Sequence, residues 1–211
     1  MDWTLVGKRA MVCGGSRGIG RACALELARL GAGVTLIARS EERLGEVAAQ
    51  LPAEAGQQHG FLSADFDRPD ELRARLEEHL PQGGSYQILL NNSGGPRAGP
   101  LFEAHPEEFL VAITRHILCN QILAQALVPG MKEAGYGRII NIISTSVREP
   151  IANLGVSNTT RGAVASWAKT LSRELGPFGI TVNNILPGYT DTERLHDLIR
   201  NRAAREGAAE D

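Results

Sequence analysis

Three glycines near the amino terminus have a spacing that suits the binding of a dinucleotide. The stretch CGGSRGIGRA follows an apolar run and places Gly14, Gly18 and Gly20 directly before helix-forming residues. A turn from strand into helix needs glycine where the backbone has positive φ or approaches a pyrophosphate, and the N–H groups of the helix end bind the anion. A tight turn without a ligand also uses glycine, but the position after the first strand favours a dinucleotide site.

The end of the second apolar run indicates which dinucleotide would bind. In LIARS, Ala38 stands where a carboxylate would receive the ribose hydroxyls of NAD, and Arg39 follows it. An arginine suits a 2′-phosphate instead, and Arg17 in the glycine turn could supply a second positive charge. We therefore expect NADP(H) rather than NAD, the alternative being that both arginines are solvated surface residues.

Asp65 ends the third apolar run, in the sequence SAD. A carboxylate at this place can accept a hydrogen bond from the amino group of an adenine. It can equally cap the helix that follows. The residues leave both interpretations open.

Six short apolar runs and five amphipathic stretches would position these residues. The runs are RAMVC, GVTLIA, HGFLSAD, YQILLNN, GRIINIIS and GITVNNILPG, and helical patterns cover 19–30, 41–51, 69–80, 106–134 and 157–175. Strict alternation predicts parallel strands joined by right-handed crossovers, with helices on both faces. The expected fold is α/β, a doubly wound parallel sheet in a Rossmann-type three-layer sandwich, and 211 residues suit a single domain, 1–211.

The composition argues against several other classes of protein. The formal charge is −2 and acidic and basic residues are interleaved, without the basic stripe that binds nucleic acid. The three cysteines form no Cys-x-x-Cys pair and have no ligand spacing with the histidines, which argues against disulfides and a metal site. No leader-like segment and no apolar run of ~20 residues stand out, so we expect a cytoplasmic protein without membrane contact.

Several motifs, in order along nearly the whole chain, resemble those of the short-chain dehydrogenase/reductase family. The glycine turn is similar to Thr-Gly-x-x-x-Gly-x-Gly, NNSG at 91–94 to Asn-Asn-Ala-Gly, and LPGYTDT at 186–192 to Pro-Gly-x-x-x-Thr, while GRIINIIS ends in a serine at the place of the family's active-site serine. Within that family, the motifs most resemble those of 3-oxoacyl carrier-protein reductases. The resemblance implies that these motifs and their neighbours bind the cofactor, through Gly14, Ser16, Arg17, Gly18, Ile19, Gly20, Arg39, Ser40, Asp65, Phe66, Asn92, Gly94, Arg161, Pro187, Gly188, Thr190 and Thr192.

The same resemblance implies four catalytic positions. In that family a serine holds the substrate carbonyl oxygen, a tyrosine protonates it, a lysine four residues later binds the nicotinamide ribose, and an asparagine of the preceding long helix holds a water. The serine corresponds to Ser144, and the usual spacing places Ser157 at the tyrosine position and Arg161 at the lysine position. Counting back from LVPGM places His116 at the asparagine position. Three of the four positions are therefore changed.

These changes limit the chemistry that the residues could perform. An aliphatic hydroxyl is a far weaker acid than a phenol of pKa ~10, so we do not expect Ser157 to deliver a proton. A guanidinium keeps its charge and could still bind the ribose through Arg161. An imidazole of pKa ~6.5 could exchange a proton at neutral pH, unless His116 is a packed structural histidine. Tyr189, after Pro187 and Gly188, is a further candidate acid.

Two functions stay open. One is an NADP(H)-dependent short-chain oxidoreductase with a degenerate active site that acts on a small carbonyl or alcohol, for example a 3-oxoacyl thioester. The other is a non-catalytic dinucleotide-binding protein that serves as a sensor or a partner subunit. The resemblance also implies a homodimer or homotetramer, and residues 193–211 are expected to form a partial substrate lid and a frayed tail.

Overall fold

Six parallel strands form where the sequence has short apolar runs. The computed structural model describes residues 3–193, 195–196 and 199–200; the expected tail at 201–211 lies outside the described residues. The strands are β1 (Arg9–Cys13), β2 (Gly33–Ala38), β3 (Gly60–Ser63), β4 (Ile88–Asn91), β5 (Gly137–Ile142) and β6 (Ile180–Ile185). Four predicted runs extend beyond their strands because residues such as Asp65, Asn92 and Ser144 leave the sheet and enter loops at its carboxyl edge.

The order of the strands is β3-β2-β1-β4-β5-β6, and every adjacent pair is parallel. The chain therefore runs outward from β1 in one direction and, after β3, returns to continue in the other. Loops that leave β1 and β4 diverge at this point, and ligands of open α/β sheets bind in the crevice that results. The predicted doubly wound α/β fold is confirmed.

Six α-helices connect the strands in the described part of the chain. They are α1 (Gly18–Arg29), α2 (Glu41–Ala49), α3 (Pro69–Gly83), α4 (Pro106–Ile113), α5 (Cys119–Glu133) and α6 (Gly155–Leu175). The prediction of one uniform helix over 106–134 was wrong in one respect, because Thr114–Leu118 winds as a π-helical turn between α4 and α5. Such a turn holds more residues than an α-helical turn and often occurs at a functional site.

Two hydrophobic cores lie on the two faces of the sheet. Side chains alternate along each central strand, so Met11 belongs to one core and Val12 to the other. The first core is closed by α3, α5 and α6, and the second by α1 and α2. This arrangement is the predicted three-layer sandwich.

One helical stretch of the described residues is long and apolar enough to cross a membrane, judged by length and composition alone. It is Pro106–Glu133. Its carboxyl-terminal half is α5, whose side chains Leu123, Leu127 and Met131 are fully or almost fully buried in the first core. The stretch therefore has the packing of a core helix.

A ladder of asparagines links the last three strands on the face that α5 and α6 cover. Asn91, Asn141 and Asn184 lie opposite one another in register on β4, β5 and β6. The amide of Asn91 donates to Asn141 Oδ1 at 2.9 Å, and the amide of Asn141 donates to Asn184 Oδ1 at 3.0 Å. A one-residue slip would turn each amide to the opposite face, so the ladder favours a single register.

Replacement of the central asparagine tests this ladder. Asn141→Ala removes the acceptor of the buried Asn91 amide, and a buried polar group without a partner costs about 1–3 kcal/mol of the free energy of unfolding. Urea unfolding followed by circular dichroism would measure the loss. Asn183→Ala is the matched control, because the side chain of Asn183 is exposed and donates to the exposed Thr181 hydroxyl, and it should change stability by less than about 0.5 kcal/mol. Equal effects of the two variants would contradict a stabilising role for the ladder.

Candidate functional site

A cleft of about 1410 Å³ opens at the carboxyl edge of the sheet, where the loops after β1 and β4 diverge. Its volume exceeds the roughly 300–1,000 Å³ of ordinary small-molecule pockets. Six segments form most of its wall: the glycine turn, the β2–α2 connection, the loop after β3, the loop after β4, the residues before α6 and the loop after β6. All the strand ends that the sequence singled out, except that of β5, therefore contribute to one cleft.

The glycine turn is packed so tightly that Gly14 and Gly20 have no room for a side chain. Gly14 and Gly18 have φ angles of +61° and +53°, a conformation that residues with a side chain rarely adopt. A Cβ on Gly20 would lie 2.2 Å from the carbonyl oxygen of Gly14, and a Cβ on Gly14 would lie 2.6 Å from Asn92 Nδ2. The packing brings the amino end of α1 to the cleft wall, where Ser16, Gly18 and Ile19 line it.

Three arginines line the adjoining part of the cleft. Arg17 and Arg39 are the two that the sequence indicated, and both are exposed. Arg17 Nη1 lies 3.0 Å from Glu193 Oε2, so the glycine turn is linked to the loop after β6. The third is Arg43, in the first turn of α2, a helix that Ser40 caps. Sequence reasoning missed Arg43, although its position one helical turn after Arg39 would have placed it nearby.

Asp65 does not cap the helix that follows it. Arg68 is the N-cap residue of α3, whereas Asp65 Oδ1 accepts from the backbone N–H of Asp67 at 3.1 Å. This bond closes a short turn within the loop after β3 and leaves Asp65 on the cleft wall beside Phe66, which is largely buried. The capping interpretation was therefore wrong.

An ion pair connects this loop to the π-helical turn. Arg115 reaches both carboxylate oxygens of Asp67, through Nε to Oδ1 and through Nη2 to Oδ2 at 2.6 Å. The hydrogen bonds from Arg115 hold the pKa of Asp67 below its ordinary value, so the carboxylate stays charged at neutral pH. Both side chains are about two-thirds or more buried, and both line the cleft. Sequence reasoning missed this pair, because nothing in the sequence links two residues 48 positions apart.

His116, the next residue of the π-helical turn, is buried with 2% of its surface exposed. Its Nδ1 lies 2.7 Å from the hydroxyl of Ser93 and 3.4 Å from Nη1 of Arg161. A guanidinium can only donate, so Nδ1 accepts and the ring proton lies on Nε2.

Arg161 joins the histidine to the end of β5. Its Nη1 also donates to the carbonyl oxygen of Ile142 at 3.0 Å, two residues before Ser144. Ser144 is half-buried and accepts from the N–H of Ser146 at 3.1 Å. Ser157 is half-buried in the first turn of α6, one turn before Arg161. The predicted catalytic residues thus belong to neighbouring elements around the end of β5.

Two further loops border the cleft. Gly99 pairs with Leu154, and the N–H of Gly99 donates to Asn153 at 2.7 Å, so the segments before α4 and α6 are joined. In the loop after β6, Thr192 approaches the glycine turn and Tyr189 lines the cleft with 79% of its surface exposed.

The cleft wall includes most but not all of the predicted residues. Eleven predicted cofactor residues form part of it: Gly14, Ser16, Arg17, Gly18, Ile19, Arg39, Ser40, Asp65, Phe66, Asn92 and Gly94; Thr192 is a twelfth. Among the described residues that do not line it are Gly20, His116, Ser144, Ser157, Arg161, Pro187, Gly188 and Thr190. Ser93 lines the cleft and contacts His116, so it links the two groups. Sequence reasoning passed over Ser93, although the NNSG motif contains it.

Comparison with known proteins identifies the family. The family model described as short chain dehydrogenase matches residues 8–203. A 3-oxoacyl-(acyl-carrier-protein) reductase from Pseudomonas aeruginosa is 35% identical over 197 residues, which cover 92% of this chain and 78% of that protein. A gluconate 5-dehydrogenase from Gluconobacter oxydans is 32% identical over 201 residues, with 93% and 77% covered.

Solved structures agree with these matches. The crystal structure of L-sorbose reductase from Gluconobacter frateurii, complexed with NADPH and L-sorbose, superimposes with a TM-score of 0.91 at 31% identity, covering 100% of this chain and 80% of that one. The strand order, the glycine turn at the end of β1 and these matches lead to one conclusion. The chain belongs to the short-chain dehydrogenase/reductase family of oxidoreductases.

Proposed function

We propose that this protein is an NADP(H)-dependent oxidoreductase that interconverts a small carbonyl compound and its alcohol. The observation that carries the proposal is the cleft at the β1–β4 divergence, which combines an anion-binding helix end with three arginines. The similarity to L-sorbose reductase, a structure complexed with NADPH, supports the same cofactor.

The cleft fits a phosphorylated dinucleotide better than an unphosphorylated one. Ala38 offers no carboxylate to the ribose hydroxyls, while Arg39 and Arg43 present positive charge on the two sides of the α2 N-cap. A 2′-phosphate needs such donors. The backbone N–H groups at the start of α1 would hold the pyrophosphate, and Asp65 would accept from the adenine amino group.

The chain's own residues would hold the carbonyl oxygen and direct a proton to it. A bound NADPH supplies hydride to the carbonyl carbon. The hydroxyl of Ser144 can donate to the carbonyl oxygen and draw charge toward it. His116 acts here as a hydrogen-bonding residue that positions a water, and this water relays to the carbonyl oxygen a proton taken up from bulk solvent. Arg161 keeps its charge and would bind the nicotinamide ribose.

Ser157 has no part in proton delivery in this mechanism, because an aliphatic hydroxyl is too weak an acid. Tyr189 lines the cleft with 79% of its surface exposed, and we assign its phenol no part in proton delivery. The relatives named above are reductases or dehydrogenases, which supports turnover over the non-catalytic alternative.

The proposal extends to substrate, assembly and location. We propose a 3-oxoacyl thioester or a polyhydroxylated ketone as substrate, since the relatives are named for such compounds. We also propose a cytoplasmic homodimer or homotetramer. Leu110, Val111 and Leu118 are exposed along α4 and the π-helical turn, and such an apolar face suits contact with a second copy.

Selectivity between the two coenzymes tests the phosphate site. Arg39→Gln should weaken the binding of NADPH about tenfold, which corresponds to ~1.4 kcal/mol, and leave NADH binding unchanged, because only NADPH has the 2′-phosphate. Fluorescence titration would give both dissociation constants. Arg75→Gln, an exposed arginine of α3, is the control. Equal weakening for both coenzymes would contradict the assignment of Arg39.

Turnover of variants at position 116 tests the role of the histidine. His116→Leu should lower kcat about 100-fold, because the water is no longer positioned, whereas His116→Asn should retain much of the activity, since an amide N–H can also donate to the water. NADPH oxidation with a panel of 3-oxoacyl thioesters and ketoses would measure kcat. Tyr189→Phe should leave kcat within about threefold of the unmodified protein; a loss near 100-fold there would show that the phenol is the acid.

A further inference from the structure

We propose that Arg115, held by Asp67, is a nucleotide-binding residue whose guanidinium stacks on the adenine of the cofactor. This inference rests on the proposed function, since it assigns one wall of the proposed NADP(H) site. It adds a base platform that neither the glycine turn nor the arginines of the β2–α2 connection provide.

The first observation is the way the guanidinium is held. Two of its nitrogens bond to the two oxygens of Asp67, which fixes the plane of the group as well as its position. The side chain of Arg115 is 26% exposed and that of Asp67 35% exposed, so the pair is screened by water less than a surface pair. A side chain so restrained loses little further entropy when a ligand binds against it.

The second observation is where the pair lies. Asp67 closes the turn that begins at Asp65, and Asp65, Phe66, Asp67 and Arg115 all line the same cleft. The proposed function places the adenine amino group at Asp65. A buried contact from α5 also holds this loop, because Cys119 Sγ donates to the carbonyl oxygen of Phe66 at 3.3 Å. The guanidinium is therefore held beside the proposed adenine position by two contacts between the long helix and this loop.

The third step is chemical. A guanidinium whose edge is occupied by a carboxylate still offers its flat face, and flat cations stack on aromatic rings and on nucleobases. Asp67 also neutralises the charge of Arg115, so the group would attract the base without competing with Arg39 and Arg43 for the 2′-phosphate. A lysine could keep the ion pair but has no planar face.

A binding experiment with fragments of the cofactor separates this role from a purely structural one. Adenosine 2′,5′-bisphosphate carries the base and both phosphates of that half, whereas reduced nicotinamide mononucleotide carries no adenine. Arg115→Lys should weaken the bisphosphate about 5- to 30-fold, which corresponds to ~1–2 kcal/mol of stacking. Binding of the mononucleotide, followed by ligand-observed NMR, should stay within about twofold in the same variant, which would show that the rest of the cleft is intact.

Variants of the partner carboxylate and a matched arginine complete the test. Asp67→Asn should also weaken binding of the bisphosphate, but by less than Arg115→Lys does. In the double variant the loss should be little larger than in Arg115→Lys alone, because both changes act on the same stacking group. Arg75→Lys, at an exposed arginine of α3 that does not line the cleft, should leave bisphosphate binding unchanged.

The possible outcomes are distinct. Bisphosphate binding within about twofold of the unmodified protein in Arg115→Lys, together with a lower melting temperature, would overturn the inference and leave the pair as a structural link. Equal weakening of bisphosphate and mononucleotide would overturn it as well. If the unmodified protein binds NADPH but the variant effect is absent, the inference alone fails. If the unmodified protein binds neither NADPH nor the bisphosphate, the proposed function fails with it.

Discussion

The contact between the glycine turn and the end of β4 is the constraint on which the site depends. At Gly14 and Gly20 a single added carbon would lie 2.6 Å from Asn92 or 2.2 Å from a backbone oxygen, closer than atoms can pack. A side chain at either position would push α1 away from β1 and from the loop after β4. Because the sheet reverses its strand order here, this contact brings the amino end of α1 and the NNSG segment to one wall. The cleft exists because these two segments touch.

Most of the fold could be predicted from the sequence for a simple physical reason. Central strands buried on both faces appear as short apolar runs, and helices that cover them show a clear apolar face, so the alternation of the two is readable. The π-helical turn at Thr114–Leu118 could not be predicted, since the apolar pattern continues through it. Its polar contacts reach Asp67 and Ser93, which are 48 and 23 residues distant, and only the folded chain brings them together.

The candidate site likewise contains residues that could be predicted from the sequence and residues that could not. The glycines were predictable because few residue types can occupy those backbone positions, and Asn92 was predictable because it stands in a motif of the family that the sequence resembles. Arg43, Asp67 and Arg115 were not, because charged residues beside helix ends look like solvated surface in a sequence. The role of a charged residue depends on its partner. Asp67 and Arg115 become partners only in the folded chain, where the loop after β3 contacts the π-helical turn.

His116 and Arg161 are linked by a direct contact. Nη1 of Arg161 donates to the carbonyl oxygen of Ile142 and to Nδ1 of His116. Each of these contacts limits the positions that the guanidinium can take toward the other. An imidazole that accepts from a guanidinium at Nδ1 carries its proton on Nε2, so it can donate to a water there. The contact with Arg161 therefore decides which ring nitrogen of the histidine can donate. Arg115 and His116 are consecutive, and one turn of backbone thus carries a contact to the loop after β3 and a contact to Arg161. A displacement of that turn would therefore change both contacts together, because one peptide bond joins the two residues.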